Sequence, residues 1–147
     1  MLCVWGDKMN ISQLIEKAFA AREAAYIPYS GFAVGAALLT SEGKIYTGCN
    51  IESSSYSPTN CAERTAFFKA VSEGERNFAA IAVVGGLKEK KMGETQLCPP
   101  CGVCRQVMME FCDTSFMVIL AVSPDEYSIY TLEELLPLGF GPNNLKK

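Results

Sequence analysis

The order of extended and helical segments in this chain predicts an α/β fold, a three-layer α/β/α sandwich over one mixed sheet of about five strands. Three observations carry that reading. Strand-like runs are interleaved with amphipathic helical runs, the pattern that puts helices on both faces of a sheet. The run Phe116 to Val122 is apolar throughout, as in a strand buried on both faces. The chain has 147 residues and no linker-like stretch, enough for one domain with a sizeable core and too few for two. The domain therefore spans residues 1–147, with residues 1–10 expected to form a flexible N-terminus.

The elements follow from local pattern. Ile11, Leu14, Ile15, Ala18 and Arg22 recur at helical spacing, with Asn10 or Ser12 as N-cap, so a helix is predicted over Ser12 to Ala25. Pro28, Ser30 and Gly31 break it. Phe32 to Thr40 and Lys44 to Cys49 read as strands joined by the polar connection Ser41-Glu42-Gly43. Asn50 to Asn60, rich in Ser, Asn and Pro, is a loop. A helix opens at Cys61 and stops at Gly74. Phe78 to Val84 is a third strand, and Gly85 to Pro100 a long loop. A helix runs from about Cys101 to Cys112, followed by the buried strand Phe116 to Val122 and a short strand Tyr127 to Tyr130. Thr131-x-x-Glu134 is a capping box for a last short helix, which Pro137 ends.

Composition narrows the chemistry. There is no histidine, which removes the usual general base, the usual activator of a nucleophile and the commonest metal ligand together. Acid–base work must fall to other side chains, and a transition-metal site must be built mainly from thiolate. Seven cysteines are available. The N-terminus lacks the cationic start and apolar core of a signal peptide, so a cytosolic protein with reduced thiols is expected. No apolar run approaches the roughly 20 residues that span a bilayer. A net charge of -3 argues against a polynucleotide partner.

Cys101-Gly102-Val103-Cys104 places two thiols on one face at a helix start, where the dipole and free N–H groups favour thiolate. Cys61 opens another helix, with Glu63 bordering the same helix tip. The sharp reading is a zinc ion held by Cys61, Cys101 and Cys104 with the fourth position open to water, and Glu63 as the acid–base group. Three thiolates and Zn²⁺ sum to -1, which opposes ionisation of a water. Arg64 is the candidate to offset this by donating to ligand sulfur. Other readings stand beside it. Cys98-Pro99-Pro100-Cys101 is an overlapping C-x-x-C that would suit a closed four-cysteine zinc site or a redox motif. The triple spacing Cys98, Cys101, Cys104 mimics part of an iron–sulfur signature, whose further cysteine is absent from Val107-Met108-Met109. Cys3, Cys49 and Cys112 read as buried or terminal small hydrophobes.

Cys61-Ala62-Glu63 with Pro100-Cys101-x-x-Cys104 resembles the signature of zinc-dependent deaminases. Pro28-Tyr29-Ser30-Gly31-Phe32, Gly48-Cys49-Asn50-Ile51-Glu52, Cys101-Gly102-x-Cys104-Arg105-Gln106-Val107 and Phe140-Gly141-Pro142 narrow the resemblance to the small cytidine deaminases, over about Ile11 to Leu145. The resemblance implies the cytidine deaminase-like fold and hydrolysis of free cytidine and 2′-deoxycytidine to the uridines, with release of ammonia. It implies one Zn²⁺ per chain on Cys61, Cys101 and Cys104, and Glu63 moving protons among the attacking water, the pyrimidine N3 and the leaving amine. Asn50 and Glu52 match ribose-binding positions, Phe32 the aromatic that packs on the base, and Ala62 the backbone that reads the pyrimidine edge. Tyr56 and Phe140 match aromatics given to a neighbour's site, and the three-cysteine set matches the homotetrameric branch. Tyr29 falls in the same region. The family usually has Ser before Pro-Cys; here Leu97-Cys98-Pro99 precedes Pro100-Cys101, and Cys98 matches no ligand. Deamination of a nucleoside antibiotic such as blasticidin S, and a structural zinc module without activity, are the alternatives.

Overall fold

In the computed structural model, which describes residues 9–146, helix α1 (Ile11–Arg22) is followed by the hairpin β1 (Phe32–Thr40) and β2 (Ile45–Cys49). Then come α2 (Ala62–Ser72), β3 (Phe78–Leu87), α3 (Gly102–Phe111), β4 (Met117–Ser123), β5 (Glu126–Thr131) and α4 (Leu132–Leu135), with a 3-10 turn at Pro142–Asn144. The five strands form one sheet in the order β2-β1-β3-β4-β5. Only β3 and β4 run parallel, with Ala80 opposite Met117 and Val83 opposite Leu120. The other three pairings are antiparallel, so the sheet is mixed as predicted.

The period of two along the central strands divides the core into two layers. Ala37, Leu39, Ala80, Ala82, Val84, Ile119 and Ala121 face α1, where Leu14, Ile15, Ala18 and Phe19 cover them. Ala36, Leu38, Ile81, Val83, Val118 and Leu120 face the other way, onto Ala66, Phe67 and Ala70 of α2 and Met108 of α3. That makes three layers. Phe67 is fully buried and sits among Phe78, Phe111 and Phe116, with ring centroids 5.1, 6.2 and 6.1 Å away. Burying such a ring contributes about 1.5–3 kcal/mol.

Local signals hold where chemistry is local. Asn10 rather than Ser12 caps α1, its Oδ1 accepting from Gln13 N at 3.0 Å. Both halves of the Thr131 and Glu134 capping box form. The differences have physical causes. Helix α1 ends at Arg22, not Ala25, because Glu23, Ala24 and Ala25 donate to carbonyls three residues back, tightening the last turn. Strand β3 runs on through Gly85 and Gly86 to Leu87, since Phe32, Ala33 and Val34 of β1 pair with those three residues. Glycines that read locally as the start of a loop are kept in the sheet by a partner far away in sequence. Cys3 and the rest of residues 1–8 lie outside the described residues.

Candidate metal centre and active site

Helices α2 and α3 both begin at one end of the sheet, and each is capped by a cysteine in extended conformation. Cys61 has φ -74° and ψ 155°, Cys101 has φ -67° and ψ 166°, and neither makes a side-chain capping bond. The unsatisfied first-turn N–H groups of two helices therefore converge on the thiols. The Cys61 backbone is pinned by the Thr65 hydroxyl, which donates to Cys61 O at 3.1 Å and accepts from Asn60 Nδ2 at 3.1 Å. Ahead of Cys101, Arg105 Nε donates to Pro100 O at 2.8 Å and its Nη1 to Leu135 O at 2.6 Å. Arg105 is a support that sequence reading noted only as part of a motif.

The three sulfurs of Cys61, Cys101 and Cys104 lie within 4.8 Å of one another, with 3.9 Å between Cys61 and Cys101 and 3.5 Å between Cys101 and Cys104. A tetrahedral zinc with thiolate bonds near 2.3 Å spaces its sulfurs at roughly 3.8 Å. The donor set therefore fits zinc in both chemistry and spacing, with one position left for a non-protein ligand. Cys98 is not part of this group. Its sulfur packs on Gly85, where a Cβ would lie 2.7 Å from it, and burial pushes its thiol up to about 12.

Glu63 is the carboxylate at the cluster. Only 4% exposed, its Oε2 accepts from Cys104 Sγ at 3.7 Å. Burial, then the neighbouring Cys61 charge, raises its carboxyl to about 7, against opposing hydrogen bonds and the Arg64 charge. A group poised there both takes and returns a proton near neutrality. Cys61 is held well below the usual thiol range by the hydrogen bond with Cys104 and then by Arg64, whose Nη2 donates to Cys61 Sγ at 3.3 Å. That bond sets the guanidinium against one of the three clustered sulfurs. Cys104 moves the opposite way, through its bond with Cys61 and its burial.

On the β1 side the structure gathers Phe32, Asn50 and Glu52. Asn50 Oδ1 accepts from Val34 N at 2.9 Å and its Nδ2 donates to Phe32 O at 2.8 Å, so the amide continues the β1 edge and keeps one N–H free. Glu52 Oε1 accepts from the backbone N–H groups of Tyr29 and Ser30, at 3.1 and 3.2 Å. Partial desolvation lifts this carboxyl, but the Ser30 and Tyr29 hydrogen bonds outweigh it and hold it below the ordinary value. Ala62 is fully buried at the first position of α2. Tyr56 and Phe140 are 73% and 59% exposed; Tyr56 meets Tyr29 edge to face at 6.1 Å, and Gln106 Nε2 holds Phe140 O at 2.8 Å. A cavity of about 320 Å³ opens beside Phe32. A cavity of about 690 Å³ lies between the end of α3 and the C-terminal tail, and its lining holds none of Cys61, Cys101 and Cys104.

Residues 8–120 match the model of the cytidine and deoxycytidylate deaminase zinc-binding region. The chain belongs to that deaminase family. A cytidine deaminase of Sporosarcina psychrophila is 51% identical over 137 residues, covering 93% of this chain and 96% of that protein. The crystal structure of cytidine deaminase from Burkholderia pseudomallei, 47% identical, superposes with a TM-score of 0.80 over 90% of this chain and all (100%) of that one. A blasticidin-S deaminase of Bacillus cereus is more distant, at 32% over 111 residues, 75% of this chain and 78% of that protein. Membership agrees with the α/β architecture and with zinc as the metal that the three thiols fit. Among the described residues, no helix is long and apolar enough to cross a membrane.

Proposed function

We propose that this chain removes the 4-amino group of free cytidine and 2′-deoxycytidine by hydrolysis, giving uridine or 2′-deoxyuridine and ammonia. The observation that carries it is a single buried carboxylate, Glu63, set against three thiols whose spacing fits zinc. Cys61, Cys101 and Cys104 would hold the metal, which supplies the Lewis acidity that activates a water at neutral pH. Glu63 would take one proton of the attacking water and deliver it to the pyrimidine N3, then collect the remaining hydroxyl proton at C4 and pass it to the amine, which leaves as ammonia, the work histidine does elsewhere. Arg64 offsets the excess negative charge of three thiolates. Phe32 packs on the base, with the Ala62 backbone at its edge. The second amide N–H of Asn50 and the carboxylate of Glu52 take the ribose hydroxyls, and a site built this way discriminates strongly against ligands lacking them. The exposed rings of Tyr56 and Phe140 complete a neighbour's site in a homotetramer. Thiol ligands suit a reducing cytosol, where such an enzyme serves pyrimidine salvage.

The test is ammonia release from purified, zinc-loaded protein offered cytidine, deoxycytidine, cytosine and a single-stranded oligonucleotide. Turnover of the two nucleosides alone is expected; none from a zinc-loaded sample would falsify the proposal. Glu63→Gln should keep its zinc and fold while turnover falls by about 10²–10⁴. A purely structural zinc module predicts no turnover in the wild type and a harmless Glu63→Ala. Sedimentation checks the assembly, and a fully active monomer defeats the sharing of Tyr56 and Phe140.

A further inference from the structure

Arg22, at the end of α1, is 4% exposed and belongs to neither apolar cluster. A buried guanidinium normally faces a carboxylate. Among the described residues its hydrogen bonds all go to backbone carbonyls: Nε donates to Ala33 O at 2.9 Å, Nη1 to Lys90 O at 2.8 Å, and Nη2 to Gly86 O and Leu87 O at 2.9 and 2.7 Å. Among the described residues the one ion pair is elsewhere, between Lys44 and Glu75.

Three of the four acceptor residues line a cavity with Phe32, and the fourth adjoins Phe32 in the chain. Ala33 follows Phe32 in β1, and Leu87 is the strand partner of Phe32 in β3. On the other side of Phe32, Gly31 O accepts from Lys88 N at 2.8 Å, a bond within the very segment that Arg22 grips. Gly86, Leu87 and Lys90, together with Phe32, line the 320 Å³ cavity. The planar fork of an arginine ties the start of β1 to the end of β3 and the turn after it at fixed spacing, which a lysine's single nitrogen cannot do.

We propose that Arg22 is a positioning residue of the substrate site, fixing Phe32 and the Gly86 to Lys90 wall beside it, and so setting affinity for the pyrimidine. The inference rests on the reading of Phe32 as the residue that packs on the base. None of the Arg22 hydrogen bonds reaches Cys61, Cys101, Cys104 or Glu63, so its loss acts on binding and leaves metal and proton transfer alone.

The experiment uses the full chain with zinc bound. Arg22→Lys and Arg22→Gln are compared with wild type for zinc per chain, kcat and KM for cytidine, and Kd for uridine by calorimetry. Zinc and kcat should stay within twofold while KM and the uridine Kd rise by roughly tenfold, as misplacement of a binding group implies. In a Phe32→Ala background the Arg22→Lys change should shrink below twofold, because both substitutions remove the same contact. The proposal is overturned by an unchanged KM and Kd, by a fall in kcat or zinc, by equal effects in both backgrounds, or by failure of both variants to yield folded zinc protein. Cytidine turnover by the wild type is the separate arm. If it is absent, the functional reading fails; if it is present and the variants behave otherwise, only the role of Arg22 fails.

Discussion

Gly48 stands on β2 directly beneath the first turn of α2, and replacing it with alanine tests how the active carboxylate is placed. A Cβ there would lie 2.6 Å from Ala66 N and 3.0 Å from Thr65 Cβ, and it would collide with Ala62 O. Two of these three neighbours are backbone atoms of the helix that carries Cys61 and Glu63, so no rotamer change relieves the clash. Normal contact needs about 3.5 Å, so α2 has to withdraw by roughly 1 Å. Overpacking of this kind costs about 1–3 kcal/mol. For a chain of this size that lowers Tm by roughly 3–10 °C. The same shift moves Glu63 relative to Cys104, and a misplacement of about 1 Å at a reacting group costs on the order of 10²-fold in rate. Gly48→Ala should therefore lose both stability, read by thermal unfolding, and kcat/KM for cytidine, read by ammonia release. Wild-type Tm together with kcat/KM within threefold would refute the claim that the helix is held at this distance by the missing side chain.

Phe67→Ala should destabilise the fold by about 3–5 kcal/mol in urea unfolding, since its ring is fully buried among three others; a loss under 1 kcal/mol would show that the cluster collapses to fill the space. Arg64→Ala should retain zinc but move the rising limb of the pH–rate profile to higher pH, because a positive charge beside the Cys61 sulfur is lost; an unmoved profile counts against charge compensation. Glu52 is held below the ordinary carboxylate value, so whatever its hydrogen-bonded anion contributes is complete above the unfolded-state value of 4.5 and is lost only as pH falls through the lower folded value. The KM for cytidine should therefore show no Glu52 titration between pH 7 and pH 5, and a rise in KM across that window that disappears in Glu52→Gln would contradict it.

What could be read without coordinates was local. Each helix and strand announced itself by period, cap or turn within a few residues, as at Asn10, Thr131 and Gly74. The spacing from Cys101 to Cys104 and from Cys61 to Glu63 put ligand-type and acid–base residues at two helix starts. What had to wait was everything decided by pairing over long separations. Whether Cys98 joins the metal group depended on where Gly85 holds it, and the length of β3 depended on Phe32 to Val34 lying alongside. Arg22 shows the division most plainly. In sequence it recurs at helical spacing with Ile11, Leu14, Ile15 and Ala18, and nothing there names its partners. In the fold it is buried, and its partners are backbone carbonyls more than ten residues away or further, which carry no residue signature. The sequence by itself determined the elements and the chemistry of the donor set, because propensity and spacing act over single turns. Only the tertiary structure decided which groups meet, because close approach and hydrogen bonds to backbone depend on the packing of the whole sheet.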